Sequence, residues 1–458
     1  MPTVWVVLAN AATQDWEIEH VDVKSAYLNA RLKETIYMKL PQGVLKPGEE
    51  GKVCRLVKGL YGLKQAGRGW YQEMSQVLNK DLGFTCSAVD HSVFFRCSSD
   101  EHTIIAVTMD DMAVTSKRAE DITRFKANIQ RYWEITDNGP IHWFLGFQIL
   151  RDRTTWTISI NQSAYIQEML NKFRLTNSAP VATPMVTGAT FSTANSPSTP
   201  TQVARMRRIP YVEAISSVLW PVVVSRPGAA FAVSTLSQFI QNPGPTHWEV
   251  LKRVIVFLGS MKDLWLTFGG QSKPAAEGFC DVDWGGQKHC HSISSYLFHM
   301  GARAISWSSK KQHIVALSST EAEYIMQMHA AKEALWLHSF LRELRSAHDD
   351  PLILNCDNQG AIALAKDNKF HMRTKHIDMR YHFICEVVED GKVAVQYIPT
   401  GDNVSDIFTK PLAKAKFWEL AELLRQAQSH ARCKNVIHLC TLPAYLRGSV
   451  KFICDLHL

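Results

Sequence analysis

The stretch "IIAVTMDDMAVTS", residues 104–116, sets two adjacent carboxylates inside an apolar run. Ile104, Ile105, Ala106, Val107 and Met109 precede them, and Met112, Ala113 and Val114 follow. Burying a bare carboxylate is costly, and two side by side repel each other. Residues 103–109 and 112–115 favour strands. Asp110 and Asp111 between them suit a two-residue hairpin, because Asp tolerates the dihedrals of such a turn. Taken alone, the stretch reads as a solvated hairpin tip.

Two upstream stretches change that reading. "EHVDVKSAYLNARLKETIYM" carries Asp22 at the end of another β-type run, with Tyr27 five residues on. "LVKGLYGLKQAGRGWYQEM" holds Gly59, Gly62, Lys64, Gln65 and Arg68. The order is a lone Asp, a Gly/Lys/Gln segment and a paired Asp. "VDVKSAYLNA", "LYGLKQAGRGW" and "TMDDM" together resemble the palm of a reverse transcriptase of the copia type of long-terminal-repeat retrotransposon. The resemblance implies that Asp22, Asp110 and Asp111 bind two Mg²⁺ ions (Mn²⁺ being possible) for phosphoryl transfer to a primer 3′-hydroxyl. The ions would offset the carboxylate repulsion. Tyr27 falls where the family places a steric gate against the ribose 2′-hydroxyl. Lys64 and Gln65 would lie by the incoming nucleotide or the template. "IHWFLGFQI", 141–149, resembles the primer-grip region; read without the family it is an amphipathic strand.

A second set of acids follows. Asp281 ends an apolar run in "AEGFCDVDWGGQ", with Asp283 as the competing candidate two residues on. "ALSSTEAEYIMQMHAAKEALWLHSFLREL" has a helical period, and Ser318 with Glu321 matches a capping box, so Glu321 has a plain helix-start reading too. Asp357 ends the strand-like "PLILNC", and sites in α/β sheets gather at carboxyl ends of strands. Asp406 lies in "VQYIPTGDNVSDIFTKPL". In the context of "ISWSSKKQHIVALSSTEAEY", "CDNQGAIALAKDNKFHMRTKHIDMRYHFI" and "DIFTKPL", the set Asp281, Glu321, Asp357 and Asp406 is similar to the ribonuclease H fold. That resemblance implies two-metal hydrolysis of RNA in RNA–DNA hybrids. "HMRTKHIDMRYH", 371–382, could contact the hybrid's phosphates and stack on a base; otherwise it is a solvated helix face.

The expected architecture is an α+β reverse-transcriptase palm with a helical connection, followed by an α/β ribonuclease H-like domain. Its spans are 1–175 for palm and thumb-like region, 176–270 for linker and connection, 275–413 for the nuclease-like domain and 414–458 for a helix and unpatterned tail. The family's fingers would precede Asp22, so the resemblance implies an N-terminally truncated polyprotein fragment with impaired polymerisation. Expected partners are an RNA template, a DNA primer, the RNA–DNA hybrid, deoxynucleoside triphosphates and the other polyprotein parts.

The 458 residues are 46% hydrophobic and 20% charged, with a formal net charge of +7, which suits globular domains and excludes a disordered chain. Ten scattered cysteines without CxxC pairs point to reduced thiols. "QKHCHS" has no second ligand pair at zinc spacing. No signal peptide or membrane span is read, so an intracellular location, cytoplasm or nucleus, is expected. Gly228 after "SRP" and Cys385 in "YHFICE" stand where the family usually has Asp and Arg. They support a second reading, an inert relic or a nucleic-acid-binding protein without turnover.

Overall fold

The computed structural model describes residues 1–40, 43, 51–98, 101–270, 276–286, 290–301, 303–344, 350–366, 383–424 and 426–428. The chain forms two compact units. One comprises Gln14–Leu145 and Glu343–Arg345; the other comprises Met1–Thr13, Gly146–Arg342 and Ser346–Leu458. The division does not fall at the expected boundary near residue 175. The cause is visible at the start of the chain, where helix α1 (Pro2–Thr13) is apolar on all sides and almost wholly buried. Its Trp5 stacks on Phe268 with ring centroids 5.4 Å apart, so α1 belongs to the unit that begins again at Gly146.

In the 14–145 unit, β1 (Glu17–Val23), α2 (Ala26–Asn29), β2 (Tyr37–Lys39), β3 (Val53–Arg55) and α3 (Ala66–Gln76) come first. Then follow β4 (Thr85–Cys86), β5 (Val93–Cys97), β6 (His102–Thr108), β7 (Asp111–Ser116), α4 (Ala119–Ile129), β8 (Ile135–Pro140) and β9 (Trp143–Phe144). The main sheet has the order β4-β5-β6-β7-β1-β8. Strand alternation sends Val21, Val23, Ile105, Val107, Met112 and Val114 to one face, against Trp70 and Met74 of α3 and Ile122, Phe125 and Ile129 of α4. The β6–β7 hairpin differs from expectation by one residue. Thr108 pairs with Asp111, and the turn residues are Met109 and Asp110, with Met109 at φ 60°. Asp111 is therefore a strand residue opposite Asp22 of β1.

The other unit continues with β10 (Phe147–Asp152), β11 (Thr157–Asn161), α5 (Ser163–Lys172), α6 (Pro200–Met206), α7 (Tyr211–Val224), α8 (Ala230–Ser237), α9 (Pro245–Ser260) and β12 (Leu264–Gly269). Strands β10, β11 and β12 pair antiparallel in sequence order. Residues 176–202, read from the sequence as a linker or loop, are largely irregular, and within them Met185 and Phe191 join the core of α5, α7, α8 and α9. Arg253 secures them by donating to the Thr183 carbonyl at 3.1 Å. Ser/Thr/Pro richness signalled irregular backbone; it carried no information on burial.

Next come β13 (Ala276–Asp283), β14 (Ile293–Met300), β15 (Ala304–Lys311), α10 (Ser319–Glu343), β16 (Leu352–Cys356), α11 (Gln359–Lys366), α12 (Phe383–Glu389), β17 (Val393–Tyr397), α13 (Lys414–Leu423) and β18 (Gln426–Gln428). Their five-stranded sheet has the order β15-β14-β13-β16-β17. The first three strands are antiparallel, and β13–β16 and β16–β17 are parallel. α10 is 25 residues long, and Met326, Ala330, Ala334, Leu337 and Leu341 are buried at helical spacing. The basic stretch 371–382 and the tail beyond residue 428 lie outside the described residues. Among the described residues no helix is long and apolar enough to cross a membrane.

Candidate active sites

Asp22 and Asp111 are cross-strand partners on β1 and β7, and the Asp110 carbonyl accepts the Val23 N–H at 2.9 Å. The hairpin turn is thereby pinned beside Asp22. Burial, then Asp111 and Asp110, push the Asp22 carboxyl up to about 6. Burial is also the first cause of the upward shift of Asp110. Asp111 is held by His20, whose Nε2 lies 2.7 Å from Oδ1, and Asn138 contacts the other ring nitrogen at 3.2 Å. The Trp70 indole donates to the Met109 carbonyl at 2.7 Å and braces the turn.

The Tyr27 and Tyr61 rings meet at a tilt of 41° with centroids 4.6 Å apart, and the Tyr61 hydroxyl donates to Asp110 Oδ2 at 3.4 Å. Sequence reasoning missed Tyr61 and His20. Tyr61 was inside the quoted "LYGLKQA" motif, and His20 stands two residues before Asp22, hence on the same strand face. Lys64 is exposed, and Gln65 is the N-cap residue that immediately precedes α3.

The second site is tighter. Asp281, Glu323 and Asp357 bring one carboxylate oxygen each to within 4.8 Å of one another. Among the described residues, Asp22, Asp110 and Asp111 do not converge to that degree. Asp281 lies near the end of β13, and Asp357 directly follows β16. Because those strands are parallel neighbours, both acids emerge at one end of the sheet. Glu323 descends from the first turns of α10.

The cluster contains Glu323 where Glu321 was expected. The Ser318 hydroxyl accepts the Glu321 N–H at 3.1 Å, and the Glu321 carboxylate accepts the Leu317 N–H at 2.8 Å. Glu321 therefore caps the helix. Two residues on, Glu323 projects about 200° further around the axis and faces the sheet. The available signal was the capping pattern itself, which assigns Glu321 to the helix start.

Burial raises Glu323 well above the carboxylate range, with Asp281 and Asp357 adding to the shift. Asp281 is pushed up to about 7, first by burial and then by Asp406. Its Oδ2 accepts the Thr409 hydroxyl at 2.6 Å. Asp406 accepts Lys410 Nζ at 2.8 Å on Oδ1 and stands beside Asp281 without joining the three-acid group. Asp283 is raised by burial and drawn down by Lys410, which places it on the Lys410 side.

Glu323 Oε2 is buried and has no hydrogen-bond partner among the described residues. A buried ionised oxygen without a donor is among the costliest groups a fold can keep. An all-carboxylate set around it fits a hard divalent cation. His291 of the dismissed zinc triplet pairs through Nδ1 with the Gln312 carbonyl at 3.0 Å; His289 lies outside the described residues.

Residues 1–187 match the family model described as reverse transcriptase (RNA-dependent DNA polymerase). The chain is 38% identical over 426 residues, 93% of its length, to a retrovirus-related Pol polyprotein from transposon TNT 1-94 of Nicotiana tabacum, of which it covers 32%. It is 30% identical to a putative transposon Ty5-1 protein of Saccharomyces cerevisiae, covering 97% of that protein with 67% of its own length. The chain belongs to the copia-type retrovirus-related Pol polyproteins. It spans about a third of the length of its plant relatives in that family. Among solved structures it is similar to a foamy viral protease-reverse transcriptase in complex with dsDNA, at 11% identity and a TM-score of 0.22 over 88% of this chain and 71% of that one.

Proposed function

We propose that this copia-type Pol chain hydrolyses the RNA strand of RNA–DNA hybrids at the Asp281–Glu323–Asp357 cluster. The observation that carries the reading is the convergence of those three acids within 4.8 Å. The sheet order β15-β14-β13-β16-β17, with acids at the carboxyl ends of β13 and β16, supports a ribonuclease H-like unit. Asp281, Glu323 and Asp357 would hold a divalent cation, with Mg²⁺ the first candidate and Mn²⁺ the second. When bound, such an ion stabilises charge on the phosphate under attack and on its leaving oxygen. The Thr409 hydroxyl fixes the Asp281 carboxylate by donating to its Oδ2.

The Asp22–Asp110–Asp111 site is assigned to RNA-directed DNA polymerisation by ancestry, with Tyr27 as gate and Lys64 and Gln65 toward nucleotide or template. RNA template, DNA primer and deoxynucleoside triphosphates are its substrates in this reading, and the location is intracellular. The second reading, an inert relic or a nucleic-acid-binding protein without turnover, rests on two departures from the family's usual residues. Gly228 sits under Phe417 and Ile407, and the Cys385 thiol contacts the Tyr324 hydroxyl at 3.2 Å and the Leu364 carbonyl at 3.3 Å.

The test is cleavage of a labelled RNA–DNA hybrid in Mg²⁺ or Mn²⁺ by the unmodified chain and by Asp357→Asn. Cleavage by the first and none by the second is expected. No cleavage by either, or equal cleavage by both, overturns the hydrolytic reading.

A further inference from the structure

The fourth acid is treated differently from the other three. Asp406 lies in a single turn of 3₁₀ helix, Val404–Phe408, tied to the sheet from both sides. The Asn403 side chain donates to the Cys280 carbonyl at 2.8 Å, and the Ser295 hydroxyl donates to the Ser405 carbonyl at 3.1 Å. From this strap Thr409 reaches Asp281 at 2.6 Å, and Lys410 folds back onto Asp406 at 2.8 Å.

The Asp406 side chain is 9% exposed and that of Lys410 42%, so the ammonium closes the solvent side of the acid. Lys410 also acts electrostatically on Asp281 and Asp283. Lys410 thus brings a positive charge to the Asp406 flank of the site, while Glu323 Oε2 has no hydrogen-bond partner among the described residues.

We propose that Lys410 fills the cation position beside Asp406, so that the site takes one divalent ion on Asp281, Glu323 and Asp357 and uses the ammonium as a built-in second positive charge. This inference rests on reading the cluster as a hydrolytic metal site. A second divalent ion beside Asp406 would have to displace Lys410 and would face both its charge and that of the first ion. A tethered ammonium needs no second binding event. Lys410 is in these terms a positioning residue that sets metal stoichiometry.

The experiment counts ions rather than turnover. Mn²⁺ alone is titrated into the full chain by calorimetry, with free Mn²⁺ followed by electron paramagnetic resonance. All samples carry Asp22→Asn and Asp110→Asn, so the other acid site does not contribute. The expected counts are one ion for that parent, none for Glu323→Gln, two for Lys410→Met and one for Lys410→Arg. A parent that binds two ions, or a folded Lys410→Met chain that still binds one, overturns the proposal. Should Lys410→Met fail to fold, the parent and Lys410→Arg counts decide, since two ions in either refutes it. Hybrid cleavage is scored separately. The expected counts without cleavage would sink the hydrolytic reading and leave this assignment standing.

Discussion

The sulfurs of Cys280 and Cys356 lie 2.8 Å apart on the parallel neighbours β13 and β16, and each cysteine is followed directly in the chain by a cluster acid, Asp281 and Asp357. Both cysteines are completely buried, so the space directly behind the two acids is filled. Interiors packed at this density transmit added volume as displacement. Cys356→Leu should cost about 1–3 kcal/mol by overpacking. It should also lower hybrid cleavage more than Cys356→Ala does, because it pushes the strand that carries Asp357. Urea denaturation and cleavage assays on both variants check this; equal loss of cleavage in the two would separate the contact from the site.

The two glutamates at the start of α10 should separate cleanly on mutation. Glu323→Gln removes a buried carboxylate that Asp281 and Asp357 repel. It should abolish cleavage while raising the melting temperature of the metal-free protein. Glu321→Gln should lose about 0.5–2 kcal/mol of stability, the usual range for a helix cap, and keep most of the cleavage. Reversed outcomes would return the cluster to Glu321.

Stability of the metal-free chain should fall as pH rises from about 4 to 7. Burial pushes the folded Asp281 carboxyl up to about 7, against an ordinary value of 3.8, so between those values the native state holds more protons than the unfolded one. The penalty is absent below the unfolded value and complete above the folded one. Its size is on the order of a few kcal/mol. Denaturation midpoints across this range give the measurement, and added Mn²⁺ should flatten the slope above pH 6. A metal-free stability that climbs through the window would contradict the burial of this acid.

Tyr61 props Tyr27 by ring contact and touches Asp110. If Tyr27 is the ribose gate, Tyr61→Ala should loosen it. An aromatic pair is worth about 0.5–1.5 kcal/mol, so discrimination against ribonucleotides should drop roughly 2- to 10-fold. Primer extension with paired deoxy- and ribonucleotides reads the ratio. An unchanged ratio with reduced extension would mean that Tyr61 serves Asp110 alone.

Restoring the family's usual Asp at Gly228 should harm this protein. A Cβ there meets the Phe417 ring at 3.2 Å, and the carboxylate would be buried among Phe417 and Ile407. Gly228→Asp should cost about 3 kcal/mol or more. Thermal melts of Gly228→Asp, with and without Phe417→Ala, test it; partial rescue by the second change is expected.

The acids, their order and the periodic helix of α10 were legible in the sequence, because strand and helix periods are local and the motifs are contiguous. Asp22 and the Asp110–Asp111 pair, and Asp281 with Asp357, could be read as strand-end acids for that reason. Which of Glu321 and Glu323 enters the cluster was decided by a rotation of about 200° around a helix, and which way that helix faces depends on the sheet it packs against. The hairpin register, set by Met109 in a left-handed conformation, shifted Asp111 from the turn into the strand. The burial of Met185 and Phe191 and the allegiance of α1 required long-range packing that no local pattern encodes. The pairing of Lys410 with Asp406 is a short-range (i, i+4) contact whose consequence appears only with Asp281 beside it. Sequence by itself determined which chemistry-bearing residues the chain owns. The tertiary structure decided which of them share a site, because convergence across strands far apart in the chain is a property of packing.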